Sequence, residues 1–219
     1  MVVCGNLFGM EQKIVATCDL KEAFDDIDVA IMAGSSPRKH GMVLSDLLAT
    51  NALIYKEHDE ALEKYAKKSV KFLVVGNPVN TNCLIMSKYA PSIPKVNFTA
   101  LTHLDHNRAL YQVAAKSGVN VAHVKNVIIW GNHSNTQFPD LSHATVCKDG
   151  KQHSAKDLIN DEEWVKTHFT PCIQKRGAAI FDARMLSSAA SAAKAIVDQM
   201  HDWWFGTKER RVGLNGCKQ

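Results

Sequence analysis

Two kinds of hydrophobic patterning alternate along the chain. Short apolar runs occur at Asp26–Ala33, Val70–Val75, Asn97–Leu101 and Val127–Trp130, and each predicts a strand. The last, Val-Ile-Ile-Trp with three β-branched residues, reads as a strand buried on both faces. Leu44 to Ser69 carries apolar residues three and four apart, with Lys56, Glu57, Glu60, Glu63 and Lys64 between them, which predicts an amphipathic helix. Further helices are expected after Leu101, over Glu162–Ala183 and over Ser187–Phe205. Pro171 and Gly177 should bend or divide the second of these. The small residues Ser188, Ala189, Ala192 and Ala193 suit the third to close helix packing. Asp149-Gly150, between Ala144–Cys147 and Lys151–His153, is a hairpin turn signal. Met1 to Gln12 has no clear period, and no internal repeat or low-complexity linker occurs.

Composition narrows the partners. With 219 residues, 46% of them hydrophobic, the chain can bury one core or a core and a half. The +4 charge is spread thinly apart from Lys208 to Arg211, without a basic stripe among aromatics, so nucleic acid is not an expected partner. No run of about eighteen apolar residues predicts a membrane span, and the amino terminus lacks a signal-peptide layout. The six cysteines lie far apart, which fits free thiols in a reducing compartment. The ten histidines form no pair with metal-ligand spacing backed by a carboxylate motif, so no metal is expected.

Two stretches carry candidate chemistry. The Val127–Trp130 strand runs into Gly131-Asn132-His133-Ser134. In a parallel α/β sheet, the carboxyl end of a strand is where ligands bind. A histidine there either moves a proton near neutral pH or serves as a structural hydrogen-bonding group. Asp105 and Arg108, three apart on a helix, share a face. By themselves they are a functional pair or a surface ion pair. Gly34-Ser35-Ser36-Pro37 and Gly76-Asn77-Pro78 each follow a predicted strand; glycine there permits close approach of a ligand, and both also read as simple turns.

Asp105-x-x-Arg108 followed by Trp130-Gly131-Asn132-His133-Ser134 resembles the malate dehydrogenases, the cytosolic branch in particular, within the lactate/malate dehydrogenase superfamily. Gly34-Ser35-Ser36-Pro37-Arg38, Val75-Gly76-Asn77-Pro78-Val79-Asn80-Thr81-Asn82 and Arg184-Met185-Leu186-Ser187-Ser188-Ala189 match in the same order, from about Ile14 to about Thr207. The resemblance implies an α/β fold: a partial Rossmann-like parallel sheet joined to an α+β substrate domain. Residues 1–90 would form the NAD-binding part, without the glycine fingerprint, since Gly5-Asn6-Leu7-Phe8-Gly9 is not that motif. Residues 91–219 would form a substrate domain whose match stops after Gly206-Thr207.

The implied function is NAD-dependent, reversible oxidation of malate to oxaloacetate in the cytoplasm, within the tricarboxylic acid cycle. By resemblance, His133 gives and takes the proton and Asp105 orients it. Arg108 and Arg38 hold the substrate carboxylates, a task suited to the planar guanidinium fork, with Asn77 and Ser188 nearby. Gly34, Ser35, Asn51, Val75, Gly76 and Asn77 would meet NAD. Two positions depart from the family: Leu44 stands where a second loop arginine would polarise the carbonyl, and His58 stands where a glutamine contact is expected. The partners implied are a small dicarboxylic acid and a second copy or a full-length subunit. A non-catalytic family member acting as a subunit partner, or a 2-hydroxy acid dehydrogenase of altered substrate choice, is the alternative.

Overall fold

The computed structural model describes residues 2–4, 15–36 and 44–207, with side chains from residues 15–36 and 51–207. Gly5 to Gly9, Arg38 to His40 and Lys208 to Gln219 lie outside the described residues, as does the side chain of Leu44. The chain divides into two compact units, one up to Ala100 and one from Leu101.

In the first unit, three of the apolar runs become the parallel strands β3 (Val29–Met32), β4 (Lys71–Val74) and β5 (Phe98–Ala100), adjacent in that order. The register pairs Ala30 with Phe72 and Phe72 with Phe98. Unbroken apolar sequence suits β4 because both its faces are covered: Phe72, Leu73 and Val74 are all fully buried. The Phe72 and Phe98 rings stack with centroids 4.8 Å apart. Parallel strands need a crossover connection, and helices α2 (Leu44–Tyr65) and α3 (Val79–Tyr89) supply it. Tyr55 and Leu62 from α2 join Cys83 and Met86 from α3 in the core over the sheet. Ahead of them, β1 (Val2–Cys4) and β2 (Val15–Thr17) form an antiparallel pair, followed by the short helix α1 (Leu20–Phe24), which Asp19 caps through Lys21 N–H.

In the second unit, α4 (His103–Ser117) is the central helix. It ends at Gly118, whose left-handed φ of 68° is the conformation glycine adopts without penalty. Ala109 and Val113 on its inner face meet Val124, Val127, Ile129, Val146, Phe169 and Ile173 in a second core. Strands β6 (Val124–Lys125), β9 (Thr145–Lys148) and β10 (Lys151–Ser154) form an antiparallel sheet in the order β10-β9-β6. Asp149 and Gly150, with φ of 51° and 72°, make the expected hairpin turn. Helices α5 (Ala155–Ile159) and α6 (Glu162–Trp164) follow.

Three expectations change here. Strand β7 (Ile128–Trp130) is not in a parallel sheet: it pairs antiparallel with β8 (Phe138–Asp140) as a two-stranded ribbon. Nor is it buried throughout, because Trp130 is 55% exposed and its indole N–H donates to Asp140. Of the two breakers foreseen between Glu162 and Ala183, only the proline marks a division. A π turn over Val165–Phe169 leads into α7 (Thr170–Arg184), where Pro171 sits in the first turn and needs no backbone donor. Gly177 lies within α7 without interrupting it. The last helix, α8 (Ala189–Phe205), begins after the paired serines, with Ser188 at its N-cap.

Asp59 on α2 is fully buried, and neither carboxyl oxygen has a hydrogen-bond partner among the described residues. Burial pushes its pKa up to about 8, with Glu60 adding to the effect. An acid whose folded pKa is raised binds more protons folded than unfolded, so its destabilising effect grows as pH rises from about 4 to about 8. The expected slope is about 1.4 kcal/mol per pH unit at most in that window. Thermal melts of wild type and Asp59→Asn should therefore diverge with pH, the variant melting higher at pH 8 and the difference closing toward pH 4. Parallel curves would remove Asp59 as the source.

Candidate active site

The cluster in the second unit starts from one carboxylate. Asp105 lies in the first turn of α4, where the helix dipole favours negative charge, and its side chain is fully buried. Two cationic or cation-forming partners reach it. Arg108, one turn on, donates from Nη1 to Oδ1 at 3.2 Å. His133, from the loop between β7 and β8, presents Nδ1 to Oδ2 in a short hydrogen bond. Arg108 also donates from Nη2 to Ser188 Oγ at 3.3 Å, at the start of α8.

This arrangement has clear electrostatic consequences. Burial draws the Arg108 pKa down and Asp105 opposes the shift, so the guanidinium keeps its charge with its counterion beside it. A carboxylate on Nδ1 selects the tautomer that carries its proton there. Nε2, on the opposite side of the ring, is then the nitrogen that exchanges a proton with a reacting atom. The imidazole is 23% exposed and the Arg108 side chain 13%, so both border solvent while Asp105 does not. When His133 is protonated, one carboxylate between two cations leaves a net positive charge to receive an anion.

In the first unit, the other predicted residues collect where β3 and β4 end. Asn51 is fully buried and turns inward: its Oδ1 accepts from Ser36 N at 2.7 Å and its Nδ2 donates to the Asn77 carbonyl at 3.3 Å. It holds two loops together through their backbones. Gly76 is buried, while Gly34 and Asn77 are exposed, and Ser35 and Val75 are half-buried. His58 turns back on its own helix, with Nδ1 2.6 Å from the Ile54 carbonyl and its ring edge-on to Phe24.

Two residues of this region were given no role in the sequence reading, although Asn82 closes one of the matched stretches. Tyr55 donates to the Gly34 carbonyl at 3.1 Å, and burial raises its phenol to about 12, keeping the donor protonated. Asn82 donates to the Gly76 carbonyl at 2.9 Å. The available signal was spacing: Tyr55 lies one helical turn after Asn51, on the same face of α2. Arg38 and the Leu44 side chain are outside the described residues.

A parallel α/β unit is thus followed in the chain by an α+β unit that carries a carboxylate–imidazole pair beside an arginine. Residues 5–99 match the lactate/malate dehydrogenase NAD binding domain, and residues 102–217 match the lactate/malate dehydrogenase alpha/beta C-terminal domain. The chain belongs to the lactate/malate dehydrogenase family. It is 64% identical over 241 residues to the cytoplasmic malate dehydrogenase of Taenia solium, covering 95% of this chain and 73% of that protein. To the cytoplasmic enzymes of Echinococcus granulosus and Homo sapiens it is 74% and 57% identical, in each case over 90% of this chain and 59% of the relative. Among solved structures, Naegleria fowleri malate dehydrogenase matches with a TM-score of 0.79 at 49% identity, covering 85% of this chain and 56% of that one. Trichomonas vaginalis lactate dehydrogenase in complex with NADH and oxamate matches at 0.83 and 45%, covering 89% and 58%. The chain thus spans between 59% and 73% of the length of these curated relatives.

Gly76 offers a structural test of the first-unit cradle. A Cβ there would lie 2.4 Å from the Tyr55 hydroxyl, 2.8 Å from Ser35 Cβ and 3.0 Å from the Gly34 carbonyl. Gly76→Ala should destabilise the chain by roughly 1–3 kcal/mol, the usual cost of overpacking. Part of that loss should be recovered in Gly76→Ala/Tyr55→Phe, which removes the nearest atom. Denaturant unfolding of both single variants and the double variant measures the coupling, and strict additivity would mean that Tyr55 is not the obstacle.

Proposed function

We propose that the chain is an NAD-dependent malate dehydrogenase that interconverts malate and oxaloacetate, in the cytoplasm as its relatives are named. The observation that supports this most is the Asp105 carboxylate held between His133 and Arg108. In the reducing direction, His133 donates a proton to the keto oxygen of oxaloacetate; in the oxidising direction it takes the hydroxyl proton of malate. Asp105 fixes the tautomer and stabilises the imidazolium. Arg108, steadied by Asp105 and Ser188, offers its fork to the carboxylate next to the reacting carbon. Arg38 would hold the distal carboxylate, which makes the substrate a dicarboxylic acid.

NAD would supply the hydride acceptor for malate oxidation and, when reduced, the hydride donor for the reverse direction. The residues proposed to hold it are Gly34, Ser35, Val75, Gly76 and Asn77, at the carboxyl ends of β3 and β4. Their fit rests on two features: Gly34 is exposed, with nothing within 4 Å of an added Cβ, and Asn77 presents its side chain outward. Asn51 supports this stretch from beneath. Among the described residues ahead of β3, no glycine turn opens a helix that could cradle a pyrophosphate.

A homodimer, or a dimer with a longer family subunit, is the proposed assembly. It is supported by large apolar side chains left open in the second unit, among them Met185 at 71% and Phe205 at 73% exposed. Light scattering should report two chains per particle, and a stable monomer at micromolar concentration would overturn the homodimer.

Turnover of oxaloacetate, followed by loss of NADH absorbance, tests the catalytic assignment. His133→Gln and Asp105→Asn should each lower kcat by about 10²–10⁴ with NADH binding retained. Leu44→Arg should raise kcat by roughly 10²–10³ by restoring a donor for the developing oxyanion. Unchanged turnover in His133→Gln would overturn the assignment. Absence of turnover even with Leu44→Arg would replace it with that of a non-catalytic family member.

A further inference from the structure

His133 sits on a seven-residue loop, Gly131 to Gln137, and a proton-transferring side chain is only as well placed as the backbone that carries it. The loop turns sharply: Gly131 has φ 86°, Gln137 N donates to the Ser134 carbonyl at 3.2 Å, and Ser134 Oγ accepts from Thr136 N at 3.2 Å. These bonds shape the loop internally without fixing it to the rest of the unit. Side chains from two helices reach it among the described residues. One is Asp105 on α4, which bonds His133. The other comes from α7, where Gln174 Nε2 donates to the Gln137 carbonyl at 2.8 Å.

We propose that Gln174 is a positioning residue for His133, holding the β7–β8 loop in the register that keeps the imidazole on Asp105. Gln137 is 2% exposed, and a buried carbonyl requires a donor. Gln174 is well anchored to supply it, because its neighbour Ile173 is 1% exposed and packs in the core against α4. From Lys175 to Ala179, α7 is exposed, so Gln174 stands where the anchored part of the helix ends. The carboxamide therefore links the core to the far end of the catalytic loop. Without it, the buried Gln137 carbonyl would lose its donor from α7, and the loop would lose that tie to the core.

This inference rests on the proposed role of His133, but its test does not depend on turnover. In the ¹⁵N-labelled full chain, imidazole NMR should show a slowly exchanging His133 Nδ1–H and the tautomer protonated there. Gln174→Met keeps the shape and helix preference of glutamine but removes the donor. In that variant the His133 Nδ1 proton should exchange about five- to tenfold faster, and the Nδ1–H tautomer should lose population. Gln174→Lys, which restores a donor of sufficient reach, should recover the wild-type signature. A melting-temperature change in Gln174→Met without change at His133 would make Gln174 merely structural and overturn the proposal. Wild-type protein gives an independent check that needs no variant. The Gln174 carboxamide protons and the His133 Nδ1 proton should exchange through a common opening event, and protection factors, each rate divided by that group's intrinsic rate, more than about tenfold apart would also overturn it.

Discussion

The buried carboxylate of Asp105 is the constraint on which the second unit depends. A fully buried charge is tolerated only when neighbouring groups replace the water it has lost. Asp105 obtains that replacement from Arg108 on its own helix, from His133 on the β7–β8 loop, and from the amino-terminal end of α4. Each partner is thereby held in turn. Arg108 extends the network to Ser188, and Asn107 on the same helix bonds Asp198, so α4 connects the β7–β8 loop to α8. Removing the carboxylate would leave a guanidinium with most of its surface buried and no counterion, a change that typically costs about 3–5 kcal/mol. The groups proposed to carry the chemistry are therefore also structural.

The first unit solves a different problem. Where parallel strands end, backbone carbonyls emerge with no ladder partner, and each must be satisfied. Here Tyr55 takes Gly34, Asn82 takes Gly76, and Asn51 takes Asn77 while accepting from Ser36 N. These side chains face inward, leaving the outer surface to Gly34 and Asn77. Asp59 runs against this economy of satisfied groups, since nothing described compensates its carboxyl oxygens. It lies on the same helix as Leu62, which enters the core one turn later.

Strand and helix positions were largely legible in the sequence, because periods of two and 3.6 and turn signals such as Asp149-Gly150 are local properties. The common face of Asp105 and Arg108 was legible for the same reason: one helical turn fixes it. The roles of His133, Arg108 and Ser188 came from family resemblance, not from any pattern that composition supplies. Arg38, the remaining carboxylate ligand in that set, lies outside the described residues.

Tertiary structure alone decided the rest. Val127 to Trp130 has the same composition in a parallel sheet or an antiparallel ribbon; the ribbon followed from Phe138–Asp140 returning beside it and from Asp140 binding the exposed Trp130 indole. His133 and Asp105 are 28 residues apart, Gln174 and Gln137 37, and Arg108 and Ser188 80. The inward turn of Asn51, the pressure of Tyr55 on Gly76 and the isolation of Asp59 also depend on which elements pack together. Local periodicity specifies which face of an element is apolar. It does not specify which distant element covers that face, and every hydrogen bond made across such a contact is settled by packing.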